Sequence, residues 1–456
     1  MKRLARLIPI ASVAATFIAS ANEAWSGWGG SILNNHWAQT NTDITSTSIR
    51  TLALQCTVPD TVGQSAPPAF QDNYAYFPTW NGSFVALNYK TCHVKWRINT
   101  TQVIVDFAPI TPLQAIANQA VARTSPQIDA ANSVLFFGTQ IHALVVAVDL
   151  ATGDLLARKQ ANPHHLATIT ASPTLYDGLL FVGVSSGEEN AAFFTGGAYE
   201  CCSFIGNAAA FRFKRVGAAG GSFTTVWNVT TIPANLAAAN GTGGRWSGAG
   251  IWGSQPPVDA RRKQVIFATG NIYSIPLAYV PCSQSDDPSC LPSYIWQESV
   301  FALDMYTGRA NWVRRLNKLD AWSLTCGALG SPQNFTLCPQ KPGNDYAVDQ
   351  QQPVGRRVGR DGSLLWQTPA PGANYSVSMP TAVGDVVVVG VTGTAGFSPP
   401  GPSALLALNK ATGRVVFEYP IPGAWQGGVA VQDSYLFPGT GYKGGTGGAF
   451  YVFKVR

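Results

Sequence analysis

Charge is scarce in this chain. Only 12% of its 456 residues are Asp, Glu, Lys or Arg, and the formal net charge is +6. Setting Lys2, Arg3 and Arg6 aside leaves +3 for the rest. Basic runs are short: Arg261-Arg262-Lys263 has three residues, and the rest, Arg356-Arg357 among them, are pairs. The chain therefore lacks the electrostatic footprint of a nucleic-acid binder, and those two runs read as solvated loop charges. Past the N-terminal segment, no stretch reaches the roughly 18 consecutive apolar residues of a membrane helix, so no membrane span is expected. The run Cys-X-X-Cys-His is missing, which excludes a covalent c-type haem. His164-His165 lacks the spacing of a zinc site and reads as a turn pair.

Glycine and proline are plentiful instead, at 46 and 30 residues. They punctuate the chain into many turns and leave little room for long helices. Apolar residues make up 46% of the sequence, enough for a large core. The N-terminal segment has a basic start, an apolar stretch from Leu7 to Ile18 and the small residues Ala19-Ser20-Ala21. This pattern predicts a secretory signal over 1–21 and a secreted, extracellular mature chain over 22–456. Eight cysteines, an even number in an exported chain, predict disulfides. Local spacing suggests Cys282–Cys290 and Cys326–Cys338, Cys56–Cys92 would join the first and last strands of one repeat, and Cys201 and Cys202 are left for each other. Spacing alone leaves other connectivities open. Six Asn-X-Ser/Thr sequons begin at Asn81, Asn99, Asn228, Asn240, Asn334 and Asn374, as expected of a glycoprotein.

One stretch, Ala302-Leu-Asp-Met-Tyr-Thr-Gly-Arg-Ala-Asn-Trp312, organises the rest. It reads as strand, tight turn and strand. Asp304 can fold its carboxylate onto the following N–H groups, and Gly308 can take the positive φ that the reversal needs. The frame recurs at Ala86–Trp96 with Cys92 in the glycine place, at Ala147–Ala157, and at Ala407–Phe417. Shortened or lengthened copies end at Trp366 and Trp227. A period of roughly 50 to 60 residues with several short strands per repeat predicts an all-β propeller in one domain. We count about seven blades. The fifth, about 313–366, is eroded, because Gln350 to Gly359 is polar where a middle strand should lie. Trp25 to Thr42 is expected to close the ring with the C-terminal repeat, and residues 100–122 to form a loop or short helix on one face.

Candidate chemistry concentrates in the third and fourth repeats. Glu188 and Glu189 follow a buried strand, Cys201-Cys202 come about a dozen residues later, and Gly248–Gly253 and Ala268-Thr-Gly-Asn271 follow. Trp252 offers a flat apolar face, and Asn271 a neutral oxygen at a strand end. Gly183-Val-Ser185-Ser-Gly187 fits a serine-hydrolase elbow, but no helix is expected after it and no His–acid pair is evident. Gly439–Gly444 fits a dinucleotide fingerprint but precedes a strand, and reads as a loop.

At these residues the chain resembles the pyrroloquinoline quinone (PQQ) alcohol dehydrogenase propellers, in particular their secreted polyvinyl-alcohol-dehydrogenase-like branch. The Ala-X-Asp-X-X-Thr-Gly-X-X-X-Trp repeat is that family's blade-docking signature, and Ala302–Trp312 matches it fully. The family propeller has eight blades. The resemblance implies a quinone held between the Cys201-Cys202 disulfide and Trp252, with Arg123 and Thr170 as further cofactor contacts. It implies Glu188 and Asn271 as Ca²⁺ ligands, and a hydride taken from an alcohol carbon while an acid residue takes the hydroxyl proton. The family's base is expected between the Thr-Gly-Asn motif and the next docking repeat, where Glu298 is the nearest carboxylate. The family's Lys-X-Gly strand is missing from the eroded blade. Two functions follow as expectations. One is a PQQ- and Ca²⁺-dependent oxidoreductase acting on a small or polymeric alcohol and passing electrons to an unknown acceptor. The other is an inactive propeller of the same kind serving as an extracellular binding scaffold.

Overall fold

A computed structural model describes residues 24–39, 43–58, 62–236, 246–285, 287–324, 356–358, 363–369, 378–392, 403–425, 427–442 and 448–456. The expected signal at 1–21, the Cys326–Cys338 pair, the sequons at Asn240, Asn334 and Asn374, and most of the eroded blade lie outside these. Asn81, Asn99 and Asn228 are all exposed.

Antiparallel four-stranded sheets dominate the described residues. Blade 1 runs from Ala69–Gln71 to His93–Asn99, blade 2 from Gln127–Asp129 to Leu155–Gln160, and blade 3 from Thr174–Tyr176 to Gly220–Thr230. Blade 4 runs from Val258–Asp259 to Ala310–Arg315, and blade 6 from Thr381–Val383 to Val415–Pro420. Of blade 5 the described residues include one hairpin, Arg356–Val358 with Leu364–Gln367. Blade 7 takes three strands from Val429–Gln432 to Tyr451–Lys454 and its fourth from Ala53–Thr57. Helices are few and short. Residues 100–122, expected as loop or short helix, carry two: α1 (Thr100–Val105) and α2 (Pro112–Ala117). A third, α3 (Glu188–Phe194), follows in blade 3. No described helix is long and apolar enough to cross a membrane.

The repeat motif works as a docking joint. Asp149, Asp304 and Asn409 each accept two N–H groups of their own turn on Oδ1. The turn then reverses at Gly153, Gly308 or Gly413, all at positive φ. A Cβ at these glycines would stand 3.0, 2.8 and 2.6 Å from the indoles of Trp96, Trp227 and Trp366 respectively. Each indole belongs to the preceding blade. Its N–H donates to the carbonyl three residues before the glycine: Leu150 at 3.2 Å, Met305 at 3.0 Å and Lys410 at 3.1 Å. Glycine thus serves twice, for the backbone turn and for a bare surface on which a ring can lie. Trp312 keeps the same register, opposite Ala302, but is 40% exposed. The turn it would meet lies outside the described residues.

Ring closure differs from the sequence expectation. Trp25–Thr42 does not complete the last blade. Ala53–Thr57 does, because its register lets it add to the free edge of Tyr451–Lys454. Trp37–Ala38 instead pairs parallel with Ala382–Val383 of blade 6. The Trp25–His36 segment reaches Gln432, Phe70, Gln255 and Val258 in turn, so it ties blades 7, 1 and 4 together.

The Cys56–Cys92 disulfide forms, but not between the first and last strands of one repeat. Cys56 lies on the closing strand opposite Val452, beside a bulge, in the register Trp96 holds opposite Ala86. Cys92 takes the glycine place of blade 1's turn, with φ 65° and its N–H on Asn88 O at 2.7 Å. A covalent bond therefore stands where other joints have tryptophan on glycine. Closing a loop with a sequence separation of 36 at the seam between the last blade and the first confines the unfolded chain. Replacing both cysteines by serine should cost about 2 to 4 kcal/mol. Calorimetry of the double variant checks this, and an unchanged melting midpoint would contradict it.

Candidate functional site

Three turns leading into innermost strands form one arc. The Ser125 N–H donates to Ser172 Oγ at 2.9 Å, and the Ser172 N–H donates to Ser254 O at 2.8 Å. Arg123, Thr170 and Trp252 each lie two residues before one of these serines, so the three expected cofactor contacts share a rim. Thr170 Oγ1 also donates to the Trp252 carbonyl. Arg123 is half-buried, its guanidinium 5.8 Å from the Trp80 ring and 6.0 Å from Tyr442.

Blade 3 supplies the acidic side of the site. Its second strand, Leu179–Ser186, is buried throughout and delivers α3 at its end. A helix therefore does follow Ser185, contrary to the sequence expectation. Ser185 is nonetheless fully buried within the strand and paired with Thr168, so it presents no exposed nucleophile.

Glu188, the first residue of α3, is fully buried. Its carboxylate accepts from Tyr199 OH at 2.7 Å, Ser203 N–H at 2.9 Å and Phe204 N–H at 2.8 Å. His164 Nε2 lies 3.4 Å away. Leu166 N–H donates to His164 Nδ1 at 3.2 Å, leaving Nε2 to carry the proton towards Ser203 and Glu188. Burial pushes the carboxyl up, but His164, Tyr199 and the Ser203 N–H outweigh it and hold its pKa below the usual range. Glu188 thus pins the loop that carries Cys201–Cys202. The two cysteines are bonded to each other and buried, and Cys202 O lies 3.4 Å from Ser274 Oγ. Tyr273 packs in the same cluster. Its phenol is pushed far up by burial and then by the charge of Glu189, and Ser185 and Trp252 are also neighbours. The Tyr273 OH interacts with the Ser185 and Trp252 side chains.

Asn271 Nδ2 stands 3.5 Å from Glu189 Oε1. Both side chains are buried. Two fully buried carboxylates flank this turn. Glu298, at φ 44°, donates its N–H to Gly270 O at 3.1 Å. Asp320 accepts the Ile272 N–H on its carbonyl at 2.8 Å, and Ala321 bridges Ile272 in parallel. Asn271 Nδ2 then donates to Trp322 O at 2.6 Å. The sequence search for an acid ended at the next docking repeat. Asp320 comes just after that repeat, in Leu319-Asp-Ala-Trp322, where the chain returns to the site face. A carboxylate next to an aromatic at that return was the available signal.

The Glu188 anchor yields a prediction. Hydrogen bonds to a charged group are worth about 1.5 to 3 kcal/mol, so Glu188→Gln should destabilise by roughly that amount. Because the folded pKa is depressed, this stability is present above the unfolded value of about 4.3 and is lost as pH falls through the folded value. Thermal melts at neutral pH check it, and a Glu188→Gln melt equal to wild type would contradict it.

No family model matches the chain. It is 26% identical to a polyvinylalcohol dehydrogenase of Pseudomonas sp across 96% of its length. It is 26% identical to another, of Sphingopyxis sp. (strain 113P3), across 82%. It spans 66% and 57% of those relatives' lengths. In fold it matches a europium-containing methanol dehydrogenase with TM-score 0.62, at 13% identity, over 94% of this chain and 98% of that one. It matches a quinohemoprotein alcohol dehydrogenase from Comamonas testosteroni with TM-score 0.60, at 15% identity, over 96% and 81%. The chain is thus a relative of the polyvinylalcohol dehydrogenases, built on the propeller fold of the quinoprotein alcohol dehydrogenases.

Proposed function

We propose that this chain is a secreted quinoprotein-type oxidoreductase that oxidises an alcohol or sugar-like hydroxyl with PQQ and Ca²⁺. One observation carries the reading. Three segments far apart in sequence, at Glu189, Asn271 and Asp320, meet at one strand end in the buried rim. Glu189 offers Ca²⁺ a hard carboxylate donor, and Asn271, whose Nδ2 faces Glu189 and the Trp322 carbonyl, would offer its Oδ1 once its amide turns.

In this reading Glu189 and Asn271 hold the metal. Glu188, the residue the resemblance picks, serves as the anchor of the Cys201–Cys202 loop, because its oxygens already accept four donors from the chain. Cys201–Cys202 and Trp252 flank the cofactor, Arg123 offers it a cation, and Thr170 fixes the Trp252 backbone. When bound, the quinone accepts the hydride and the metal polarises it. The chain's own part is to orient the alcohol, exclude water and take the hydroxyl proton. Asp320 fits that last role better than Glu298, since its segment bonds directly to both Asn271 and Ile272.

A positioned base contributes about 10² to 10⁴ in rate, so Asp320→Asn should lose kcat on that scale with PQQ and Ca²⁺ binding intact. Glu298→Gln should lose less than about tenfold. Stopped-flow reduction with a primary alcohol, beside calorimetric binding of PQQ and Ca²⁺, checks both. If the reconstituted wild type binds both but leaves the alcohol unoxidised, the scaffold alternative replaces this reading.

A further inference from the structure

We infer that Asn34, on the N-terminal segment, is a positioning residue for the cofactor rim: through the turn at 252–255 it sets the Trp252 platform on which a flat cofactor would stack. That the rim takes a quinone rests on the oxidoreductase reading; that Asn34 holds the rim does not.

The Trp252 turn is held from two sides. Blade 3 holds the first. Thr170 Oγ1 donates to the Trp252 carbonyl, and the Ser172 N–H donates to the Ser254 carbonyl at 2.8 Å. One link earlier in the arc, the Ser125 N–H donates to the Ser172 hydroxyl at 2.9 Å. At Ser254 the hydroxyl is held from outside the blades. Asn34 Nδ2 donates to it at 2.6 Å and to the Gln255 carbonyl at 2.8 Å. A carbonyl only accepts, so the amide nitrogen of Asn34, and not its oxygen, faces this turn. Asn34 is thereby a fourth member of the arc that joins Ser125, Ser172 and Ser254.

Gln255 completes the grip. It is buried, and its Oε1 accepts the Trp28 N–H at 2.7 Å and the Gly29 N–H at 3.2 Å. The segment supplying these donors is itself a tight loop. The Ser26 N–H donates to Gly30 O at 3.1 Å, the Asn34 N–H to Ser31 O at 3.0 Å and the His36 N–H to Gly29 O at 2.9 Å. Its two ends are fixed elsewhere, by the Trp25 N–H on Gln432 Oε1 at 3.0 Å and by the pairing of Trp37–Ala38 with blade 6. A side chain reaching from so fixed a loop transmits its position to the turn it touches. The turn needs that support. Ser254 stands at φ 64°, a left-handed backbone that costs a residue with a side chain. Trp252 is only half-buried, so packing alone does not lock its ring.

Asn34 stands at φ 49°, which glycine takes freely, so Asn34→Gly removes the amide and leaves the loop backbone in place. The first readout is amide hydrogen exchange, by mass spectrometry, of the protein without PQQ or Ca²⁺. Loss of two hydrogen bonds should speed exchange about tenfold in peptides spanning 168–175 and 249–256, with Leu144–Asp149 of blade 2 unchanged. The second readout is calorimetric titration with PQQ in the presence of Ca²⁺, where affinity should fall about tenfold. If Asn34→Gly does not fold, Ser254→Gly decides. It keeps φ 64° and removes the hydroxyl, and should show the same local rise with about threefold weaker PQQ binding. Rim exchange equal to wild type in the folded variant overturns the inference. So does a rise shared equally by Leu144–Asp149, which marks a general loss of stability, and so does unchanged PQQ affinity. A wild-type protein that binds no PQQ counts against the oxidoreductase reading instead, and the exchange comparison then decides by itself whether Asn34 holds the rim.

Discussion

The structure depends on one contact, an indole laid on a bare glycine of the next blade. A sheet of two to eleven residues per strand cannot bury both faces alone, so each blade must find its neighbours. The indole buries a large apolar surface, and its N–H on the carbonyl three residues before the glycine fixes direction as well as distance. Repetition of that joint sets the stagger between blades. Where the tryptophan is replaced, another bond supplies the stagger. Ala157 stands in its place at the joint between blades 2 and 3, and Arg215 of blade 3 reaches back to Asp149 and the Ser133 carbonyl. At the closing seam Cys56 and Cys92 do the same work covalently.

A fixed stagger brings equivalent loops to a common rim. Arg123, Thr170 and Trp252 reach the same arc because each enters an innermost strand at a similar offset, and backbone hydrogen bonds link those entries. The acidic side is built differently. It depends on Glu188, a buried carboxylate used to fold a loop, and on a short parallel bridge between Ile272 and Ala321. Neighbouring glutamates thereby take different tasks: one faces its own loop, the other faces Asn271.

The propeller was legible in the sequence because its joints are local. Asp304, Gly308 and Trp312 act within eleven residues, and a hairpin's turn chemistry is written in consecutive positions. Closure was less legible: the choice between Trp25–Thr42 and Ala53–Thr57 depends on which edge is free after the ring forms. The site was legible as a set of residue types but not as pairings. Sequence offers no way to see that the Ser203 and Phe204 N–H groups turn to Glu188 while Asn271 stands beside Glu189. Asp320 was hidden for a related reason. Its proximity to Asn271 comes from a two-residue bridge across strand ends, which leaves no periodic trace.

The proposed metal and cofactor centre joins Glu189 and Asn271, with Asp320 alongside. A crystal structure of the chain grown with PQQ and Ca²⁺, with the metal located by its anomalous signal, tests it. The ion is expected between Glu189 and Asn271, with oxygen contacts at about 2.3 to 2.6 Å and the quinone on the Arg123–Thr170–Trp252 rim. An ion held by Glu188 in place of Glu189, or a quinone bound away from that rim, would contradict it.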